Sequence, residues 1–292
     1  MANALFEQAR QKFLGATIDW DGQTFSAVLM DLTPSTSDAG IRQITSSTNA
    51  TPIVVTTAVA HGFSNGDLVY VDGIATGTSG NGLWTITAAS GSVFSLTDPV
   101  SGANAVGNGV GAGGYCVNYG QTASTVSDFW DDFDASLVGG ASGKVNLTGA
   151  TIAAGVADAN DVTFTAISGN TVEAIGIIRD TGTASTSEMV AIITGKQIVT
   201  CNTTLSAGTA LLVEPIKYGI PNGTVLAFSG GQNATLTALA NAGDRVLTVS
   251  STTVNIGTRA LAPATGSGLP VTPNGGNIVV TWDNGVNKIF KL

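Results

Sequence analysis

From Ala16 onward the chain alternates apolar and polar positions with a period of two. Short runs rich in Val, Ile, Thr and Phe are separated by Gly, Asn, Asp and Ser. Successive side chains of an extended strand point to opposite faces, so this pattern predicts many short, half-buried strands. Residues 24–30, 52–57, 67–71, 161–165, 174–179 and 277–282 are such runs. Only the N-terminus reads differently. There Leu5, Phe6, Ala9, Phe13 and Leu14 recur at helical spacing, with Asn3 placed to cap the start and Gly15 the end. The expected fold class is all-β: a β-sandwich or small-barrel core with inserted β-modules and a short N-terminal helix.

Composition divides the chain further. Residues 41–117 read as a self-contained β-module whose turns include His61-Gly62, Asn65-Gly66, Asp72-Gly73 and Asn81-Gly82. It ends in a Gly-rich stretch, residues 102–114, expected to be a flexible loop. A second module is expected at 197–265. The remaining pieces, 1–40, 118–196 and 266–292, are expected to form one discontinuous core domain carrying the two modules in its loops, where insertions are best tolerated. Residues 276–292 would supply its closing strand.

Charge changes the picture more than hydropathy does. Charged residues make up 11% of the 292, less than half the usual share of about 25%. Their place is taken by Gly, Ser and Thr, so the surface is weakly charged and suits burial against neighbours. A homo-oligomer follows as an expectation, with a trimer ahead of a dimer. Net charge is −9, and the 11 basic residues are scattered, which argues against a direct nucleic-acid ligand. No apolar run approaches the roughly 18 residues of a membrane helix, so no membrane partner is expected. The N-terminus lacks the basic start and apolar core of a secretory signal. Cys116 and Cys201 are expected to be free, half-buried thiols of a protein made in a reducing cytoplasm.

Candidate chemistry is sparse. His61, the sole histidine, is the one candidate general base and is expected in a surface turn between strands, with no nucleophile beside it. Asp128, Asp131, Asp132 and Asp134 could in principle supply calcium ligands. The same letters also suit a short amphipathic helix, capped by Ser127, with Phe129, Trp130 and Phe133 on one face. The helix is the expectation. Asp158 to Asp161 read as a tight turn. Trp20, Trp84, Trp130 and Trp282 could line a sugar-binding platform, but each lies in a periodic apolar segment and is expected in a core or interface. No catalytic residue, cofactor or metal is assigned. The residues expected to anchor a core or subunit interface are Leu5, Phe6, Phe13, Phe129, Trp130 and Phe133.

Residues 162–182, VTFTAISGNTVEAIGIIRDTG, and 268–292, GLPVTPNGGNIVVTWDNGVNKIFKL, resemble a family of tailed-bacteriophage virion proteins in which the comparable stretches often lie much closer together. The resemblance covers the discontinuous domain. It implies a structural component of the particle, assembled in the bacterial cytoplasm, whose partners are the major capsid protein or other virion proteins. Ile53-Val-Val-Thr-Thr57, Ala60-His-Gly-Phe-Ser64, Gly66-Asp-Leu-Val-Tyr-Val71 and Asn81-Gly-Leu-Trp-Thr-Ile86 are similar to a β-module that recurs in phage structural proteins and is sometimes likened to a half-domain of ubiquitin-activating enzymes. No nucleotide-binding loop accompanies it here. The expected role is a non-enzymatic capsid decoration or cement protein. A head–tail connector, tail or fibre component is the alternative within the same context. A carbohydrate-binding or adhesin module, and a glycan-degrading enzyme, are alternatives of other classes.

Overall fold

A computed structural model describes residues 5–33, 38–120, 127–265, 267–282 and 289–291. The fold is all-β; the described residues contain one α-helix, Glu7–Leu14, and short 3-10 turns among the strands. The chain divides into two compact units, each assembled from separated stretches. One gathers Ile41–Tyr119 with Thr194–Leu269; the other gathers the N-terminal residues with Gly120–Ile193 and Pro270–Leu292.

The first unit contains a closed six-stranded barrel. Its antiparallel strands run in the order Ile41–Ser47, Val54–Thr57, Val93–Thr97, Gly82–Ser90, Leu68–Asp72, Tyr115–Asn118 and back to the first. Ile44, Val55, Val69, Val71, Trp84, Ile86, Phe94, Leu96 and Val117 are buried. Closure matters because a barrel has no strand edge left to pair with other chains. The first and last strands are neighbours, with Ile41 opposite Val117. The module therefore leaves the chain where it entered, and its insertion costs little loop-closure entropy. The second module of this unit is rooted in the same way. Lys196–Thr200 pairs with Arg259–Pro263, starting from Lys196 opposite Pro263. Its buried cluster includes Val199, Leu211, Ile220, Leu226, Phe228, Leu236, Leu247 and Val249.

The two modules meet within this unit. Val106 donates its N–H to the Ser229 carbonyl at 3.0 Å. Asp72 pairs with Lys196 at 3.7 Å, and Asp98 with Arg259 at 3.6 Å.

Residues 102–114 are an ordered strap, not the flexible loop expected from their glycines. Ala105 is buried and accepts a hydrogen bond from Ile53; Gly107 donates to Ala50 and Gly111 exchanges both backbone bonds with Ser47. Glycine serves close approach here. A Cβ on Gly111 would overlap Ser47 Oγ, Ile74 Cγ2 and the Thr76 carbonyl. Gly111→Val is expected to lower stability by about 3 kcal/mol through overpacking. Gly102→Ala, which meets nothing within 4 Å but has φ of +69°, should cost only about 1 kcal/mol. Denaturant midpoints measure both; a neutral Gly111→Val would return the strap to a mere spacer.

In the second unit, Phe25–Met30 is the fully buried inner strand of a four-stranded sheet. Its neighbours are Ala174–Arg179 and Lys144–Asn146, and Met189–Thr194 lies outside Ala174–Arg179. The N-terminal helix starts later than its spacing predicts. Leu5 and Phe6 are extended: Leu5 bridges to Ala191, and the Phe6 N–H bonds to the Val190 carbonyl at 3.0 Å. Satisfying a strand edge outweighs two residues of helix there. Asn3, the expected cap, lies outside the described residues. Gly15 is the C-cap expected of it, with a φ of −81° and its N–H on the Gln11 carbonyl at 2.9 Å, and Ala16, at +53°, takes the left-handed position that follows.

The expected closing strand is two short ones. Ile278–Val280 pairs with Val162–Phe164, and Phe290–Lys291 pairs with Val156–Asp158. Two tryptophans tie down the turn at Asp158–Asp161. Trp20 Nε1 donates to the Asp158 carbonyl at 2.8 Å, and Trp282 Nε1 to the Asn160 carbonyl at 3.0 Å.

Candidate interaction surface

The expected anchors divide between core and partial exposure. Phe6, Trp130 and Phe133 are buried, whereas Leu5, Phe13 and Phe129 are half-buried. Phe6 meets Phe133 edge-to-face at 5.5 Å between centroids, and Phe13 meets Phe290 at 5.8 Å. The segment around Trp130 is not the helix expected. Phe129 bridges to Glu188, and two 3-10 turns follow, Trp130–Asp132 and Asp134–Ser136. Neither turn has a side-chain cap, so Ser127 does not play the expected part. The strand-like pairing of Phe129 takes the backbone that a helix would have used.

The centre of this region is a residue the sequence reading missed. Glu188 is 4% exposed and accepts hydrogen bonds from Lys12 Nζ at 2.7 Å, from Arg179 Nη2 at 2.6 Å and from Arg179 Nε. Lys12 also lies 5.2 Å from the Phe129 ring centroid. Burial alone would raise the Glu188 pKa, but the bonds from Arg179 and Lys12 outweigh it and hold the carboxyl below its usual range. A second polar cluster joins Ser26 Oγ to Asn146 Oδ1 and Asp180 Oδ2, each at 2.8 Å, with Lys144 at 2.7 Å from Asp180. Ser26 is fully buried, so this cluster locks strands together and offers no nucleophile.

The acidic segment does not converge on one point. Asp128 is buried, Asp132 half-buried, and Asp131 and Asp134 are exposed. Desolvation, with repulsion from Asp131, pushes the Asp132 carboxyl up to about 6. Among the described residues no group of three or more His, Cys, Asp or Glu is placed to hold a metal ion.

His61 is a core residue, correcting the surface turn expected of it. It is 2% exposed, packed between Phe63 and Phe94. Its Nδ1 accepts the Phe63 N–H at 2.9 Å, which leaves Nε2 to donate to the Val93 carbonyl at 3.1 Å. Both nitrogens are thereby committed in the neutral ring, and desolvation lowers its pKa. Cys116 and Cys201 are free, and fully buried where half-burial was expected. Burial pushes the Cys116 thiol up to about 12, which leaves it unreactive. All four tryptophans are buried, so none presents a flat face for a sugar.

What remains on the surface is a division of charge. The unit built on the barrel has five acidic and five basic residues, whereas the other has 15 and six and so carries the whole −9. Three of the five acids of the neutral unit, Asp67, Asp72 and Asp98, are buried. Among the described residues, eight of the 11 exposed large apolar side chains belong to the same unit: Val59, Val100, Val110, Leu212, Val225, Leu239, Val246 and Ile256. A neutral surface with scattered apolar side chains can desolvate cheaply against another protein. No protein-family model matches the chain, and no curated protein is similar to it.

Proposed function

We propose that the chain is a non-enzymatic structural subunit of a tailed-bacteriophage particle, decorating or cementing the outside of the capsid. The observation that carries this reading is the pairing of the two segments that resemble phage virion proteins. Val162, Thr163 and Phe164 lie opposite Val280, Val279 and Ile278, and Val172 and Val271 exchange both backbone hydrogen bonds, at 2.8 and 2.9 Å. Residues 194–269 leave and rejoin the chain between them. The segments that lie closer together in the family thus sit side by side here, although a module separates them in sequence. The low charge of the barrel-containing unit supports the reading further, since a decoration subunit works by covering its neighbours. Nucleic acid is an unsuitable partner for a chain whose charge is −9.

Purified chain mixed with empty shells of the phage's major head protein should sediment with them at a stoichiometry close to that of the shell subunits, and should still do so in high salt. Screening weakens only contacts that depend on exposed charge. A chain that stays in the supernatant yet co-purifies with isolated tails at about a dozen copies or fewer would replace decoration by the connector, tail or fibre alternative.

A further inference from the structure

His61 lies on the loop that joins strands Val54–Thr57 and Leu68–Asp72, and it ties that loop to the turn between strands Gly82–Ser90 and Val93–Thr97. Its backbone N–H bonds to the Gly91 carbonyl at 3.1 Å, and its ring Nε2 to the Val93 carbonyl. Gly62, at a φ of +72°, turns the chain so that the Phe63 N–H reaches back to Nδ1 at 2.9 Å. The Phe63 ring is 6% exposed and lies 5.0 Å from the imidazole and 6.1 Å from the Phe94 ring, between centroids.

This arrangement admits one protonation state. A neutral ring with its proton on Nε2 donates to Val93 and accepts from Phe63, whereas an imidazolium has an N–H at both positions. Its Nδ1–H would meet the Phe63 N–H, donor against donor, at a buried site. Burial is the largest influence against the charged ring. Arg42, whose Nε bonds to the Ala60 carbonyl at 3.2 Å, also acts against it, while the Val93 carbonyl and Asp67 act for it. Asp67 is already engaged, because its Oδ2 accepts the Ser64 N–H at 2.9 Å and Asn118 Nδ2 at 3.0 Å. Strands Val54–Thr57, Gly82–Ser90 and Val93–Thr97, with the turn between the last two, contain no charged residue.

We propose that His61 is an acid-operated clasp: one proton taken up at Nδ1 releases Phe63 and the loop backbone around it, while the barrel strands stay paired. Protonation removes a single acceptor, that of the Phe63 N–H, and no other histidine exists in the chain to titrate with it. The pKa of the ring is lowered in the closed loop, so the open form takes up the proton first as the pH falls below the ordinary 6.5. Opening then becomes up to about tenfold more frequent per pH unit, until the pH reaches the closed-state value. Above 6.5 the clasp stays shut. The released side chain is apolar, so acid would present a phenyl ring that neutral pH conceals. The clasp does not depend on the virion reading.

Amide hydrogen exchange of the full chain, followed residue by residue by NMR from about pH 5 to 8, tests it. Protection of the Phe63 amide, corrected for the intrinsic pH dependence of exchange, should fall below pH 6.5 by up to about tenfold per unit. The Leu96 amide, bonded to the Ile53 carbonyl at 3.0 Å in the barrel, should keep its protection. His61→Asn retains a side-chain acceptor but no titrating ring, and should remove the pH dependence at Phe63. Should that variant fail to fold, the single histidine resonance of the wild type remains decisive, with a titration midpoint expected below 6.5. Flat Phe63 protection, a parallel loss at Leu96, an unchanged pH slope in His61→Asn, or a midpoint at or above 6.5 would overturn the proposal.

Discussion

Replacing Glu188 by Ala should destabilise the protein by about 3 kcal/mol, because it strands two cations against a surface from which water is largely excluded. The Glu188 side chain is 5% exposed, and those of its partners Arg179 and Lys12 are 23% and 29% exposed. A drop in melting temperature of about five degrees is expected. The effect carries a pH signature. Glu188 and Asp180 both titrate lower in the folded chain than in the unfolded one, so the unfolded chain binds their protons first as the solution is acidified. Their contribution is complete above the ordinary values of 4.5 and 3.8 and disappears as the pH falls through the folded ones. Glu188→Gln should therefore flatten the acid limb of the stability curve relative to wild type. An unchanged acid limb would mean that Glu188 is not ionised in the native state.

Phe133→Ala should cost about 4 kcal/mol, the scale for emptying a fully buried aromatic site. Phe133 is 0% exposed, meets Phe6 edge-to-face, and leaves so little room that a Cβ on Gly40 would collide with its ring. The surrounding backbone is fixed by the Gly40 N–H on the Asp132 carbonyl and the Trp130 N–H on the Ser187 carbonyl, so little collapse into the cavity is expected. Urea midpoints of Phe6→Ala, Phe133→Ala and the double variant would give the pair's coupling, expected near 1 kcal/mol beyond burial. Strict additivity would show that the two rings do not act as a pair.

The strands and the chain's all-β class were legible from the sequence because they follow from local alternation. The run at Ala174–Arg179 matches its expected bounds, and the other runs differ by one to three residues at their ends. The sequence set 41–117 and 197–265 apart as two modules by their turn-rich composition; that 41–119 and 194–269 gather into one compact unit was not legible. Residue environment was not legible. His61 reads as a turn residue from its neighbours, yet Phe94 and Val93, more than 30 positions away, enclose it. Gly111 reads as flexible, yet Ser47 and Thr76 close on it.

The candidate surface shows the same limit. The scarcity of charge and the excess of Asp and Glu are properties of composition, and the sequence determined both. Which unit carries the −9, and which is left neutral, depended on how separated stretches were gathered into two bodies. Leu212 and Val246 are 34 positions apart and become a pair only through strand register. The Lys12–Glu188 bond spans 176 positions. Alternation fixes which residues lie in strands, since it depends only on the geometry of each residue's own backbone. Pairing among many similar Val-, Ile- and Thr-rich strands is decided by burial and register summed over the whole chain, and only the tertiary structure contains that sum.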